Sequence, residues 1–412
     1  MSRVKYIFSA LRVMALGSLG AGVLNFLALT ITAKILEPSA FGVFSVYASV
    51  ISIVSVVSSF RVDVLIFQLH KIHASVIFML ALHLVSLVSV LVFIVFSFNG
   101  VSDYVLSDHV YPYTAYVLAF GVMALGGYQA ATAFSLKYKM YKELSLSKSL
   151  QAFVGAIVQI LLAIIFKYSF IPLVVGFIVN QAFGVRMLVK NQTFPFSWRT
   201  YVKFIVVIRR YFKFCAYSSM SMFLLIMSPL LPAVIIAKYI GIEEAGVFYF
   251  ASQVTTVPFT FIRRLLANVV LAEGKELTSG IYISLLHKYK KVILVVGTFC
   301  IITCVAYFLF ATSLFEFFLG YKWRSAGVVS AILLPMFMID SISFSAYQLL
   351  NINNRYVALF FMEVFRFIFV VGGVLVVVLM TGDLVNVVVW YSFSMSFFYV
   401  TIILMLHILF MV

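Results

Sequence analysis

Hydrophobic positions along this chain come in long runs, each closed by a short polar or basic stretch. A strand of a membrane barrel would alternate polar with apolar residues over about ten positions. The run 85–96 does not alternate. A helix needs about 20 mostly apolar residues to cross the hydrocarbon layer, and the runs have that length. They predict helical spans near 13–35, 41–69, 74–98, 113–136, 150–166, 171–188, 211–240, 245–271, 292–311, 326–350, 357–380 and 385–410. The expectation is an all-α integral membrane protein with about twelve transmembrane helices.

One stretch occurs twice. Ala33 to Phe44 reads Ala-Lys-Ile-Leu-Glu-Pro-Ser-Ala-Phe-Gly-Val-Phe, and Ala237 to Phe248 reads Ala-Lys-Tyr-Ile-Gly-Ile-Glu-Glu-Ala-Gly-Val-Phe. Without gaps, Ala33, Lys34, Gly42, Val43 and Phe44 fall on Ala237, Lys238, Gly246, Val247 and Phe248. Each copy ends one apolar run and opens the next, so each reads as the turn between the first two spans of one half. The chain is expected to form two pseudo-symmetric six-helix lobes, residues 1–189 and 211–412. Residues 190–210 would form a cytoplasmic amphipathic linker, in which Trp198, Tyr201, Phe204 and Ile208 interleave with Arg199, Lys203, Arg209 and Arg210, or else simply a basic connection entering the seventh span.

Composition fixes the solvent. With 64% hydrophobic and 10% charged residues and a mean hydropathy of +1.15, the chain could not cover itself with polar surface in water. The net charge of +16 is mostly a topology signal. Of the 29 Lys and Arg residues, twenty fall on the N-terminus and alternate connections and five on the opposite set. This places both termini on the cytoplasmic side. A basic patch between membrane spans faces anionic lipid, so membrane lipids and not nucleic acid are the expected partners. The three cysteines, Cys215, Cys300 and Cys304, have neither disulfide nor zinc spacing. No metal or cofactor is expected.

The four remaining cations, Arg61, Arg263, Arg264 and Arg366, lie within predicted spans. A charge there costs about 2.5 to 3.5 kcal/mol unless it is paired or hydrated. Glu363 and Arg366 are three residues apart and share a helix face, whereas Asp340 has no neighbour in sequence to pair with. These three either fix helix packing or line a polar path, with Asp340 or Glu363 able to take a proton or cation. Arg61, close to Asp63, ends the inner part of the second span. Arg263 and Arg264 occupy the equivalent place one repeat later. They serve either as interfacial anchors or as guanidinium forks for a phosphate group. The first helix of each half has a weak place: Gly17, Gly20 and Gly22 beside Asn25, and Pro229 with Pro232. Paired interruptions suit helices that bend during alternating access, although glycine also serves close packing.

The twin turns, the segment Ser58-Ser-Phe-Arg-Val-Asp-Val-Leu-Ile and the turn Lys137-Tyr-Lys-Met-Tyr-Lys-Glu-Leu-Ser resemble the polysaccharide flippase family of the MOP transporter superfamily, which includes the Wzx-type O-antigen and capsule translocases. The resemblance implies two six-helix lobes around a cationic cavity. That cavity passes the head group of an undecaprenyl-pyrophosphate-linked oligosaccharide across a bacterial inner membrane. The family's second-helix arginine falls on Arg61 and the acidic residue after it on Asp63, while the Glu243-Glu244-Ala245-Gly246 turn departs from the usual Gly-Pro form. Substrate binding is then expected at Arg61, Asp63, Arg263, Arg264 and Arg366, with gating or ion coupling at Asp340, Glu363 and Asn25. No catalytic residue is expected. The protein would act as a monomer beside the polysaccharide polymerase machinery, with coupling to protons or a cation. The alternatives are a cation-coupled exporter of small amphipathic compounds and, further off, a membrane polysaccharide polymerase.

Overall fold

The computed structural model describes residues 3–68, 71–98, 112–190, 198–273, 298, 301–302, 304–352 and 356–411, and these are helical apart from short turns. The helices are α1 (Arg3–Ile35), α2 (Pro38–Ser58), α3 (Val62–Gln68), α4 (Lys71–Ser97), α5 (Thr114–Lys137), α6 (Tyr141–Ile165), α7 (Ile171–Val189), α8 (Trp198–Tyr239) and α9 (Ile242–Glu273). After them come α10 (Cys304–Leu319), α11 (Arg324–Ile352), α12 (Tyr356–Thr381) and α13 (Leu384–Met411). Among the described residues there is no strand. Ten helices among those residues are long and apolar enough to cross a membrane. The long α9 and the shorter apolar α10 take the two remaining expected positions.

Several boundaries differ from the hydropathy reading, and the first helix already begins at Arg3. The second span is not one helix: it breaks at residues 59–61 into α2 and α3. The fifth starts at Tyr141, inside the basic turn, because Glu143 suits the positive end of a helix and Lys148 can reach Ser18 Oγ at 3.1 Å. The ninth continues to Leu319, while the start of its expected range, 292–297, lies outside the described residues, as do Asp103 and Asp108. Segment 198–210, the larger part of the expected linker, is the beginning of the 42-residue α8. Pro229 and Pro232 both lie within that helix, where each removes one backbone donor. Near them Ser49 Oγ of α2 donates to Leu230 O at 3.3 Å.

Packing divides the chain into two compact units, Met1–Val234 and Ile235–Val412. In the first, α1 packs on α6, α6 on α7, α7 on α5, and α5 on α2 and α4. In the second, α9 packs on α11, α11 on α13 and α13 on α12. The repeated turn therefore opens a helix with matching neighbours in each unit. Its last residue is buried both times, Phe44 edge-on to Phe177 of α7 at 6.2 Å and Phe248 edge-on to Tyr391 of α13 at 5.5 Å. Close by in each helix, Tyr47 packs against Phe170 and bonds Thr114 Oγ1 at 2.6 Å, and the Phe250 ring centre lies 4.3 Å from that of Trp323.

Helices in lipid gain little from hiding apolar groups and associate through close packing of small residues. Gly17 is such a contact: a Cβ there would lie 2.8 Å from the Cα of Ser145 on α6, and Ser149 Oγ donates to Gly17 O at 3.3 Å. Packing thus explains this glycine of the weak first helix. Gly327 does the same in the second unit, where a Cβ would meet the Thr312 Cα at 2.6 Å. Gly17→Leu should force α1 off α6 and cost about 1 to 3 kcal/mol of stability, read as a lower thermal midpoint of the detergent-solubilised protein. Gly20→Leu, where the nearest atom is the Ser149 Oγ at 3.7 Å, should be milder in the same melt.

Candidate functional site

The break between α2 and α3 is made by backbone, without glycine. Phe60 and Arg61 adopt φ of +47° and +55° in succession, a left-handed conformation that costs an L-residue about 1–2 kcal/mol. Local bonds hold it: Phe60 N donates to Val57 O at 2.8 Å, Val62 N to Ser59 O at 3.0 Å, and buried Ser59 Oγ to Asp63 Oδ1 at 2.6 Å. Asp63 also stands in the first turn of α3, where a carboxylate is favoured by the helix dipole. At the other end of this short helix Lys137 Nζ donates to Phe67 O at 3.2 Å. Arg61 is half-buried, and among the described residues its buried Nε meets no hydrogen-bond partner. Asp63 thus serves the turn that presents Arg61 and is itself held by Ser59.

The second unit concentrates charge. Asp340, without a partner in sequence, finds one across the bundle: Arg263 Nη1 of α9 donates to its Oδ2 at 3.1 Å. The Arg263 guanidinium rests 4.8 Å from the centre of the Phe344 ring, one turn beyond Asp340 on α11. Tyr399 of α13 reaches the same carboxylate. Glu363 and Arg366 on α12 form the expected i, i+3 ion pair. One member of each pair, Asp340 and Arg366, acts on both Tyr391 and Tyr399 of α13, so the two pairs lie near one another within this unit.

Asn25 lies exposed on α1, its Oδ1 accepting from Asn180 Nδ2 of α7 at 3.3 Å. The Arg264 side chain lies outside the described residues. Within the second unit the structure brings together Arg263, Asp340, Glu363 and Arg366, and within the first Arg61 with Asp63. Sequence reasoning missed Phe344, Tyr399 and Ser59. The i, i+4 spacing of Asp340 and Phe344 was a usable signal for the first, and the adjacency of Ser59 to Arg61 for the third. Nothing in sequence ties Tyr399 to Asp340.

Two outcomes follow. Phe60 is 53% exposed, so Phe60→Asn sacrifices little burial while easing the left-handed backbone. It should stabilise the protein by up to about 1 kcal/mol in a thermal melt. Removing one member of a buried pair leaves an uncompensated charge and costs about 3–5 kcal/mol, whereas apolar replacement of both is often near neutral. Arg366→Met alone should therefore lower stability sharply, and Glu363→Leu with Arg366→Met should recover most of the loss in the same melt.

Comparison with known proteins gives this arrangement a context. The family model described as "Polysaccharide biosynthesis protein" matches residues 31–329. No curated protein matches the chain by sequence. Among solved structures, the lipid II flippase MurJ in an inward closed conformation aligns with a TM-score of 0.69 at 11% identity, over 95% of this chain and 87% of that one. A multidrug resistance MATE family transporter of the MOP superfamily, inward-facing, aligns with a TM-score of 0.65 at 14% identity, over 94% of each chain. A MOP superfamily transporter from Pyrococcus furiosus aligns with a TM-score of 0.60 at 11% identity, over 97% of this chain and 95% of that one. At these identities the likeness establishes the fold, while the family model covers well over half of the sequence. The chain is a multi-pass membrane protein that belongs to the polysaccharide biosynthesis protein family and has the fold of the MOP superfamily transporters.

Proposed function

We propose that this protein is a flippase that carries a lipid-linked oligosaccharide, on undecaprenyl pyrophosphate, across a bacterial inner membrane for synthesis of O-antigen or another surface polysaccharide. The observation that carries the reading is the set of arginines placed in and beside the membrane helices of a polysaccharide-biosynthesis protein. Arg61 is presented on a strained turn, and Arg263 stays partly open beside its carboxylate. A guanidinium matches the paired oxygens of a phosphate group. A sugar-phosphate head group needs such donors where water is scarce, while its lipid tail can remain in the bilayer.

In this scheme Arg61, Arg263 and Arg264 attract the pyrophosphate. Asp63 steadies the Arg61 turn through Ser59. Asp340 and Asn25 line or gate the path, with Asp340 as the place where a proton or cation would couple to transport, while the sealed Glu363–Arg366 pair fixes the packing of α12. Alternating exposure of the head group accounts for movement without any covalent step, and no catalytic residue or cofactor is assigned. The protein works as a monomer with both termini cytoplasmic and delivers its product to the polymerase machinery.

The test is translocation of undecaprenyl-pyrophosphate-linked oligosaccharide in vesicles by Arg61→Ala and Arg264→Ala proteins that insert normally. A charge-assisted hydrogen bond contributes about 1.5–3 kcal/mol, so each substitution should slow transport about tenfold or more. Undiminished transport in both would remove these residues from the site. A null strain that keeps its surface glycan but accumulates amphipathic drugs would instead favour a cation-coupled exporter. One with altered polymer length and intact translocation would favour a polymerase.

A further inference from the structure

The two ion pairs of the second unit differ in access. Glu363–Arg366 is sealed, its side chains 3% and 5% exposed. Arg263–Asp340 is open, with Arg263 36% and Asp340 14% exposed. The open pair is also joined more loosely than these groups allow. The contact runs through one nitrogen, Nη1 to Oδ2 at 3.1 Å, and not through the two parallel bonds of a locked guanidinium–carboxylate fork. The Phe344 ring supports the cation through its π face at 4.8 Å, an attraction that uses none of the N–H donors.

Resting on the phosphate-carrier reading above, we propose that Asp340 is a built-in stand-in for the substrate's phosphate: it occupies Arg263 while the carrier is empty and yields the guanidinium when a phosphate group arrives. Carboxylate and phosphate present the same pair of oxygens to the guanidinium, so one can replace the other with little movement of Arg263 over Phe344. The exchange keeps the arginine compensated throughout, which the bilayer requires. Asp340 is not abandoned when Arg263 turns away, since Tyr399 reaches its carboxylate and the charge of Arg366 acts on it. The sealed pair has no such freedom, because separating it would bury two unpaired charges. Asp340 is therefore a specificity-determining residue: it lowers affinity for the phosphate enough for the head group to leave, and it keeps the empty site from holding other anions.

The experiment measures binding by the full-length protein in lipid nanodiscs to three probes: undecaprenyl pyrophosphate, undecaprenol and inorganic pyrophosphate. Asp340→Asn preserves shape and removes the competing charge, so affinity for undecaprenyl pyrophosphate should rise about fivefold or more while undecaprenol binding does not change. A parallel rise for inorganic pyrophosphate would show that the phosphate group suffices; a rise confined to the lipid form would assign the site to the membrane-borne head group. The gain must vanish when Arg263→Ala is combined with Asp340→Asn. Glu316→Gln, which opens the separate exposed pair with Arg324 at 3.7 Å, should leave all three affinities alone. Should Asp340→Asn not accumulate in the membrane, Asp340→Ser, whose hydroxyl can still bond Tyr399, is read in its place.

Unchanged or weaker binding of undecaprenyl pyrophosphate by a folded Asp340 variant, an equal gain for undecaprenol, or a gain that survives loss of Arg263 would each overturn the proposal. If the unaltered protein binds neither phosphorylated probe, the phosphate-carrier reading itself fails. If it binds them and Asp340→Asn does not tighten them, the stand-in alone fails.

Discussion

An ionised side chain inside a bilayer needs a counter-charge, a polar partner or water, and the internal arrangement of this protein follows from that requirement. With only 10% of its residues charged, the chain spends few ions within its spans. Arg263 and Asp340 meet across two helices that are distant in sequence, and Glu363 and Arg366 meet on one. Each pair ties helix packing to charge balance. Shifting α9 along α11 would strip Asp340 of its arginine, so the register of those helices is electrostatic as well as steric.

The two units carry different chemistry on a repeated helical plan. Matching helices bury matching aromatic residues, Phe44 and Phe248, against their own neighbours. The polar interiors then diverge. The first unit relies on neutral or singly charged bonds: Gln159 to Thr32 at 3.0 Å, Tyr47 to Thr114 at 2.6 Å and Ser59 to Asp63 at 2.6 Å. The second gathers two arginines and two carboxylates. A carrier for an amphipathic, negatively charged head group can use such asymmetry, since neutral groups suit sugar hydroxyls and cations suit phosphate. The strained Phe60–Arg61 turn belongs to the same economy. It takes an arginine out of a regular helix and leaves a buried Nε among the described residues without a bond, a local cost that persists because Ser59, Asp63 and Lys137 secure the segment.

Much of the fold was legible before any coordinates. Hydropathic runs determine helices, because a backbone in hydrocarbon must satisfy its own hydrogen bonds. The duplicated turn was legible too, since Gly42 and Gly246 each stand two residues before a phenylalanine that packing buries. The i, i+3 spacing of Glu363 and Arg366 was enough to pair them, because helix geometry alone sets that distance. What sequence could not supply were relations between helices far apart in the chain. The partner of Asp340 lies 77 positions away, and no periodicity encodes which arginine a carboxylate will meet. The break at 59–61 was also hidden, because it is made by ordinary residues in a left-handed conformation that tertiary contacts hold in place, where hydropathy showed one long span. Local spacing and the demands of the bilayer determined the elements; the choice of partners across them needed the packed helices, since only packing decides which distant faces come together.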